Sequence, residues 1–324
     1  MRILLGAWHA TGFAGTQSWV YTVAHALREL GHEVSVLVTA RREMAMRLIS
    51  AGFEVYSTVK DDRPACDLVI ASQPRMLHVC PICRQSQVPN DDMTMPKHTD
   101  SYVAKKCLGS GMKGMDALPK VKRLYVCHGW LPHEKPVLDG TPYVAVSPEV
   151  ATNLKSDFSI DATVIGQPID FDRFRPVMPL RMEKPKALVL STWPASPEHV
   201  ASACEEAGVE IFVPDSPGGC WNMPGRINKV DIVIGTGRGI AEAMACGRVA
   251  CICGQFGCDG LVTPGLIEKQ AEFNFSGRWK KGELPNALMD ALKGYDPVYG
   301  RWGTIEAHKR FAPLGIAQAL LEAA

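Results

Sequence analysis

The sequence lacks the features that first identify membrane-spanning and highly charged proteins. None of its apolar runs approaches the roughly 18 residues needed to cross a bilayer. Its formal net charge is +1 over 324 residues, which predicts no overall attraction to nucleic acid or to an anionic membrane. The hydrophobic content of 46% and the charged content of 21% are ordinary for a globular enzyme. A chain of this length favours about two domains, each with its own core.

The N-terminus also lacks a recognisable secretory signal, which matters for the eleven cysteines of the chain. The segment MRILLGAWHA has no basic region of useful length and is typical of a first β-strand. Without secretion a disulfide framework is not expected, so we predict a cytoplasmic protein with reduced thiols. Cys246, Cys251 and Cys253 lie in apolar segments, which favours buried free thiols at these positions.

Apolar strands and amphipathic helices alternate along most of the chain, which predicts parallel, doubly wound sheets. In the first half, strands are predicted at Arg2–Ala7, Glu33–Val38, Phe53–Ser57, Asp67–Ala71, Lys122–Cys127, Tyr143–Val146 and Thr163–Ile165. Helices are predicted there at Thr16–Leu30, Met44–Ala51 and Glu149–Ser156. In the second half, strands are predicted at Ala187–Leu190, Glu210–Val213 and Val249–Cys253, with helices at 197–207, Leu284–Leu292 and Ile305–Leu321.

The predicted domain organisation follows from this alternation and from a proline-rich segment. Prolines at 176, 179 and 185 indicate a linker over residues 173–186. We therefore expect an N-terminal domain at 1–172 and a C-terminal domain at 173–300. A last helical segment at 301–324 is expected to pack back on the N-terminal domain.

The segment DIVIGTGRGIAEAMACG, residues 231–247, carries the most information about function. A short apolar strand leads into a turn that contains Gly235, Gly237 and Gly239, where the backbone can approach a ligand closely. The helix that follows directs its N-terminal N–H groups at this turn, an arrangement that suits a phosphate. One carboxylate, Glu242, lies in this small-residue helix.

The residues EAMACG, with Asp231 upstream, closely resemble the nucleotide-sugar-binding segment of glycosyltransferase family 4. The resemblance covers most of the chain outside residues 76–113. It implies a GT-B fold, in which two doubly wound Rossmann-like domains face a cleft. It further implies that Glu242 binds the ribose of the donor nucleotide, and that Gly237 and Gly239 belong to the donor site.

Three further segments carry the same resemblance. Ala14–Val20 is similar to the family's N-terminal Gly-Gly loop, which implies that Gly15 and Thr16 contact the donor diphosphate. His128 matches the histidine that family members place near the transferred sugar, which makes it the candidate catalytic residue; alternatively it is a hydrogen-bonded residue at a strand end. The segment VIGQPIDFDRFRP resembles the family's interdomain segment, with Gln167 in place of the usual asparagine.

The sequence also departs from the family pattern. Family members place an Arg and a Lys after the first strand of the second domain, where both clamp the diphosphate. Here the strand is followed by Ser191-Thr192-Trp193-Pro194, and no such pair follows. Because the leaving group needs compensating charge, Arg238 is the candidate replacement, with a solvated loop arginine as the equally open alternative. Ile234 occupies the position of the family's earlier glutamate.

Residues 76–113 form a polar insertion that is predicted to bind zinc. Cys80, Cys83, His98 and Cys107 supply a Cys₃His ligand set, which is typical of a closed tetrahedral site. The segment is similar to small zinc-ribbon modules, and a polar insertion without a core needs such a staple. Unrelated surface cysteines are the alternative. His78 is a weaker candidate ligand because of its spacing to Cys80.

A basic stretch follows the zinc motif and suggests a nucleic-acid contact. It comprises the seven cations Lys97, Lys105, Lys106, Lys113, Lys120, Lys122 and Arg123. Such a stretch is suited to phosphates, although a solvated face is the alternative. The cofactors predicted for the chain are thus a structural zinc ion and a nucleotide-diphosphate sugar as co-substrate.

The sequence favours a glycosyltransferase that moves a sugar from a nucleotide-diphosphate donor to an acceptor hydroxyl. The family resemblance implies retention of anomeric configuration. The acceptor stays open between a glycan or small molecule, a protein and a hydroxymethylated DNA base. A catalytically silent GT-B-like scaffold that binds nucleic acid or protein through its zinc module is the main alternative. An epimerase ranks lower because no pair of ionisable groups can be assigned to it.

Overall fold

The computed structural model describes residues 1–7, 15–38, 41–57, 64–72, 121–129, 136–190, 197–213 and 219–324. The chain divides into two compact units. The N-terminal unit comprises residues 1–146, 150–165 and 314–324. The C-terminal unit comprises residues 147–149 and 166–313. The chain thus changes unit after Ile165, whereas the sequence places the boundary after residue 172.

The N-terminal unit is built on a parallel sheet. Its strands are β1 (Arg2–Ala7), β2 (Glu33–Val38), β3 (Glu54–Ser57), β4 (Leu68–Ala71), β5 (Lys122–Cys127), β6 (Tyr143–Ala145) and β7 (Ala162–Val164). Helices α1 (Gly15–Glu29), α2 (Glu43–Ser50) and α3 (Pro148–Phe158) follow β1, β2 and β6. The central strands are rich in Val, Ile and Leu and are almost fully buried, as expected when helices cover both faces.

The strand order of this sheet, β3-β2-β1-β4-β5-β6-β7, is doubly wound. The chain moves outward from β1 through β2 to β3, then returns to add β4 on the other side of β1. All described neighbours are parallel, with Ile3 of β1 opposite both Val34 and Leu68. The carboxyl ends of β1 and β4 therefore flank a topological switch point, the place where open α/β sheets bind ligands.

The C-terminal unit has a second, smaller sheet. Its strands are β8 (Lys186–Val189), β9 (Glu210–Phe212), β10 (Ile232–Gly235), β11 (Val249–Gly254) and β12 (Gly257–Leu261). Its helices are α4 (Pro197–Glu206), α5 (Met223–Ile227), α6 (Arg238–Ala245), α7 (Ile267–Glu272), α8 (Asn286–Lys293) and α9 (Val298–Arg310). Helix α10 (Pro313–Ala323) closes the chain. Residues of both faces of this sheet form buried hydrophobic clusters.

The strand order of the second sheet is β12-β11-β10-β8-β9. Strands β8 to β11 are parallel, and β12 pairs antiparallel with β11. The switch point lies between β8 and β10, because β9 follows β8 on one side and β10 is added on the other. The glycine turn after β10 therefore lies where this sheet would bind a ligand.

The segment predicted as a linker is bound along the C-terminal unit. Phe174 is buried in its core, and the N–H of Val177 donates to Asn228 Oδ1 at 2.9 Å. The N–H and Nη1 of Arg181 donate to the carboxylate of Asp231 at 2.8 and 3.1 Å. These hydrogen bonds and the buried Phe174 fix the segment to the unit.

One predicted helix was wrong. The expected single helix Ile305–Leu321 is divided into α9 and α10 at Phe311 and Ala312. Pro313 is the reason, because proline cannot donate a helical hydrogen bond but is favoured at a helix start.

The eight cysteines within the described residues are free thiols, and Cys246, Cys251 and Cys253 are buried as predicted. Within the described ranges, no helix combines the length and the apolar character that crossing a bilayer requires.

Candidate donor site in the C-terminal unit

The glycine turn after β10 packs against the end of β8. A Cβ on Gly235 would lie 3.2 Å from Leu190 Cβ, and a Cβ on Gly239 would lie 3.1 Å from Leu190 Cδ1. Both distances are tighter than ordinary van der Waals contact. The two glycines thus let the first turn of α6 approach the adjacent strand closely, as glycines do in the strand–turn–helix of dinucleotide-binding sheets.

Gly237 has a backbone conformation that only glycine adopts readily. Its φ of +60° and ψ of −133° place it immediately before α6. Its N–H donates to the carbonyl of Phe275 at 2.9 Å, and its carbonyl accepts from the N–H of Ile240 at 3.1 Å. The turn is therefore fixed from both sides. The first N–H groups of a helix have no partner within it, so the start of α6 suits an anion.

Arg238 and Glu242 form a buried ion pair on the first turn of α6. Arg238 Nε donates to Glu242 Oε1 at 2.9 Å, and the two side chains are 5% and 10% exposed. Arg238 Nη1 also donates to the carbonyl of Pro168 at 2.7 Å. The alternative that Arg238 is a solvated loop residue is therefore wrong, because its guanidinium is buried and donates hydrogen bonds to two acceptors.

Burial shifts the pKa of both members of this pair. It raises the pKa of Glu242, while the positive charge of Arg238 opposes the shift. It likewise lowers the pKa of Arg238, while the carboxylate of Glu242 opposes that shift. Each charge thus offsets part of the desolvation cost of the other. The carboxylate predicted to bind a ribose is held in one orientation by the arginine one helical turn before it.

Two segments distant in sequence surround the start of α6. Gln167 Nε2 donates to Asn274 Oδ1 at 3.2 Å. Asn274 and Phe275 each have a φ of +52°, in the left-handed region. Such strain persists where the surroundings fix the backbone. Here this conformation places the carbonyl of Phe275 where it accepts a hydrogen bond from the N–H of Gly237. Gln167 therefore contacts the loop whose Phe275 accepts the N–H of Gly237.

A second arginine lies in the same unit, on the segment that follows Pro168. The guanidinium of Arg173 stacks over the ring of Trp221, with 3.6 Å from its central carbon to the ring centroid. Its Nη2 donates to the carbonyl of Trp221 at 2.8 Å. Its positive charge, like that of Arg238, opposes the rise that burial causes in the pKa of Glu242. Arg173 could not be predicted from the sequence, because no local motif marks it.

Asp231, which forms part of the family resemblance, lies at the opposite end of β10 from the glycine turn. Its buried carboxylate accepts the N–H groups of Arg181 and Lys186, each at 2.8 Å. It joins the segment before β8 to the sheet. Its role in the described structure is architectural.

The N-terminal unit contains a separate group of predicted site residues. Gly15 and Thr16 begin α1, after β1, and the loop before them lies outside the described residues. His128 follows the end of β5, and its ring meets that of Trp19 edge to face, with centroids 5.3 Å apart. Trp19 is 1% exposed. The structure thus connects His128 to the first turn of α1 through Trp19, a residue that the sequence analysis did not single out.

The predicted zinc ligands Cys80, Cys83, His98 and Cys107 all lie outside the described residues. Among the described ones, no group of three His, Cys, Asp or Glu side chains is arranged to hold a metal ion.

Only Lys122 and Arg123 of the predicted basic stretch lie within the described part of the chain. Both are on β5, and Arg123 forms an ion pair of 3.8 Å with Asp139. Tyr125, the aromatic residue beside them, is fully buried and donates from its hydroxyl to Asp139 at 2.8 Å. Its ring is therefore not available to stack on a base.

No protein-family model matches the sequence, and no curated protein matches it. Solved structures share its fold. A glycosyltransferase from Rickettsia africae ESF-5 is 14% identical, with a TM-score of 0.56 and 99% of this chain and 97% of that chain covered. HepE of Anabaena in complex with UDP and glucose is 12% identical, with a TM-score of 0.59 and coverage of 99% and 98%.

An alpha-glucosyltransferase in complex with UDP and a 13-mer DNA containing an HMU base is also similar in structure. It is 12% identical, with a TM-score of 0.55, and the match covers 100% of this chain and 99% of that one. At such identities the likeness establishes architecture alone. The chain has the α/β fold, with parallel sheets, of the GT-B glycosyltransferases.

Proposed function

We propose that the protein is a glycosyltransferase that uses a nucleotide-diphosphate sugar, with retention of anomeric configuration. The observation that carries this proposal is the buried Arg238–Glu242 pair on the turn of helix that directly follows Gly237. A carboxylate fixed beside a phosphate-binding turn suits a ribose that is joined to a diphosphate. The fold shared with glycosyltransferases crystallised with UDP supports the same conclusion.

In this proposal Glu242 binds the ribose hydroxyls, and Gly237 and Gly239 let the start of α6 meet the diphosphate. Gly15 and Thr16, at the start of α1, are proposed to contact a diphosphate, and His128 to act near the transferred sugar. The acceptor hydroxyl attacks the anomeric carbon, and the nucleoside diphosphate leaves. Positioning of the two substrates and stabilisation of the leaving group carry much of the rate acceleration.

The source of the positive charge that would stabilise the leaving group differs from the family pattern. The segment after β8 contains no arginine or lysine between Val189 and Pro197. Arg238 is the cation nearest in sequence to the turn, although its guanidinium already binds Glu242 and Pro168. We propose that helix N-termini and Arg238 together replace the family's Arg/Lys clamp.

A hydroxymethylated DNA base is the acceptor that we favour among the three open classes. The basic stretch from Lys97 to Arg123 supports this choice, and so does the neighbour solved with UDP and DNA. We further propose that Cys80, Cys83, His98 and Cys107 bind a structural zinc ion, and that the protein is cytoplasmic.

A catalytically silent scaffold that binds nucleic acid or protein remains the second candidate. The missing cation pair after β8 favours it, and so does the commitment of Arg238 to two acceptors within the protein. A scaffold has no need for a carboxylate held beside a phosphate-binding turn, which favours the enzyme.

Titration calorimetry with UDP tests the proposed donor site. We expect UDP to bind the native protein and its affinity to fall about tenfold or more in Glu242→Gln, because one charge-assisted hydrogen bond is weakened. The control is Glu205→Gln, which removes an exposed carboxylate on α4. Equal affinities in all three proteins would contradict the assignment of Glu242.

A further inference from the structure

An exposed aromatic residue lies at the same edge of the second sheet as the glycine turn. Strands β10 and β11 are parallel and in register, with Gly235 opposite Ile252. Their carboxyl ends therefore share one edge of the sheet. The turn that joins β11 to β12 leaves this edge, and its Phe256 is 47% exposed. Phe256 is one of several exposed large apolar side chains among the described residues, and it follows a strand whose own residues are all buried.

Cations accompany Phe256 and the aromatic residue of a neighbouring loop. The guanidinium carbon of Arg278 lies 4.7 Å from the centroid of the Phe256 ring. Lys280 Nζ lies 5.1 Å from the centroid of the Trp279 ring. Lys280 and the adjacent Lys281 are exposed, and among the described residues no carboxylate forms an ion pair with either lysine. We name these five residues the cationic–aromatic surface.

Buried contacts fix the loop that carries this surface. The carboxylate of Asp259 is fully buried, and its Oδ1 accepts the N–H of Lys280 at 2.8 Å. The N–H of Cys258 donates to the carbonyl of Gly282 at 3.0 Å. A Cβ on Gly277 would lie only 2.5 Å from the carbonyl oxygen of Gly257. Burying a carboxylate costs free energy, and here it orders the backbone of an exposed basic loop.

The charge of the surface comes chiefly from its two lysines. Arg278 donates to both carboxylate oxygens of Glu149, from Nε and from Nη2, each at 2.6 Å, so its charge is largely matched. It serves to cover one part of the Phe256 ring. Lys280 and Lys281 are exposed to solvent, and Lys280 lies over the ring of Trp279, which is a combination suited to phosphates and unstacked bases.

We propose that the cationic–aromatic surface binds a single-stranded nucleic acid, with phosphates at Lys280 and Lys281 and a base on Trp279 or Phe256. As an acceptor-binding surface it rests on the proposed function, although binding itself does not require catalysis. The surface lies in the C-terminal unit and is independent of the basic stretch from Lys97 to Arg123. Stacking on aromatic rings is tolerant of sequence, so we expect little preference among bases.

Fluorescence anisotropy with a labelled single strand of about 16 nucleotides tests this inference on the full chain. We expect Lys280→Ala/Lys281→Ala to weaken binding at least fivefold. The slope of log affinity against log salt should fall by about 1.4, since each phosphate contact on a single strand contributes about 0.7. The matched control is Lys269→Ala/Lys293→Ala, which removes two exposed lysines of the same unit and should leave affinity and slope unchanged.

Trp279→Ala and Phe256→Ala separate stacking from charge. Each should weaken binding several-fold with an unchanged salt slope, because a base stack releases no counterions. Unchanged affinity and slope in the double lysine variant would overturn the inference, as would a loss confined to Lys105→Ala/Lys106→Ala in the N-terminal unit. Lysine-dependent binding of anionic vesicles without DNA binding would also overturn it.

UDP calorimetry on the same variants distinguishes the two proposals. The double lysine variant should bind UDP as the native protein does. If the native protein binds DNA through Lys280 and Lys281 but binds no UDP, the donor site fails and the cationic–aromatic surface stands. If UDP binds and the lysines are irrelevant to DNA, the surface fails and the donor site stands.

Discussion

The carboxylate of Glu242 is held at 2.9 Å by the guanidinium of Arg238, four residues before it on the same helix. Both side chains are almost completely buried, and the arginine also donates to the carbonyl of Pro168 at 2.7 Å. A family resemblance marks the glutamate but says nothing of this partner. We therefore expect a change at either position to alter both the proposed donor site and the stability of the unit.

Removing one charge of the Arg238–Glu242 pair should destabilise the protein more than removing both charges. Glu242→Ala leaves the guanidinium of Arg238 buried without its counter-charge, which costs about 3–5 kcal/mol in comparable buried pairs. Arg238→Met/Glu242→Leu should recover most of this loss. Urea denaturation measures both free energies of unfolding. A double variant as unstable as the sum of the single variants would contradict the coupling.

The same pair predicts how stability depends on pH. Burial raises the pKa of Glu242 above its ordinary value of 4.5, so in the interval above that value the folded state holds more protons than the unfolded state. Stability contributed by this group is thus present at low pH and is lost as pH rises. Arg238→Met removes the positive charge that opposes this rise in the pKa of Glu242, and should therefore enlarge the loss of stability at high pH.

Urea denaturation at pH 5 and at pH 8 measures how the free energy of unfolding depends on pH. The destabilisation caused by Arg238→Met should be larger at pH 8, whereas that of Arg238→Lys, which keeps a positive charge, should change less with pH. Equal destabilisation of Arg238→Met at both pH values would mean that Glu242 does not depend on the arginine for its ionised state.

Gly237→Ala should damage the donor site through the backbone. The φ of +60° and ψ of −133° at this residue are strained for a residue with a Cβ, at a cost of about 1–3 kcal/mol. If the turn shifts instead, UDP affinity should fall. The control is Gly315→Ala in α10, where nothing lies within 4 Å of the added Cβ and helix propensity favours alanine. Thermal unfolding and UDP calorimetry on both variants test this comparison.

His128→Asn should lower kcat about 100-fold while leaving the affinity for UDP nearly unchanged, if the imidazole acts near the transferred sugar. His199→Asn, which changes an exposed histidine on α4, is the control. Because the His128 ring contacts buried Trp19, thermal unfolding should accompany the kinetics. An equal kcat in the native protein and in folded His128→Asn would exclude the histidine from the chemistry.

Purified protein should contain about one zinc ion per chain, as expected for one Cys₃His site. Elemental analysis of the native protein and of Cys80→Ser measures this content, with Cys220→Ser as a control thiol outside the insertion. Zinc absent from the native protein, or unchanged in Cys80→Ser, would contradict the ligand set.

The strands of both sheets could be predicted because their apolar runs are continuous. Strand β12 could not, because Gly257–Leu261 contains two glycines and is defined by its antiparallel pairing with β11. The start of helix α9, before the predicted Ile305, could not be predicted either, because this helix packs through glycine and alanine. At Gly300 the carbonyl of Gly247 lies so close that a Cβ would not fit. A search for an apolar stripe does not detect a helix of this kind.

The candidate site also has one part that could be predicted from the sequence and one part that could not. The glycine turn is recognisable because local spacing specifies a strand, a turn and a helix, and Glu242 is recognisable because the segment EAMACG resembles that of glycosyltransferase family 4. The partners of that turn are not, because Pro168 is 70 residues from Arg238. The contacts of Gly237 with Phe275 and of Gln167 with Asn274 also depend on the folded chain. Sequence spacing alone does not predict contacts that the tertiary fold creates.

Release of nucleoside diphosphate tests the central claim most directly. The native protein is incubated with a panel of nucleotide sugars, with and without DNA that contains hydroxymethylated bases, and the released diphosphate is measured. We predict release from at least one donor, stimulated by that DNA and strongly reduced in Glu242→Gln. No release from any donor, with or without DNA, would contradict the proposed transferase and favour the silent scaffold.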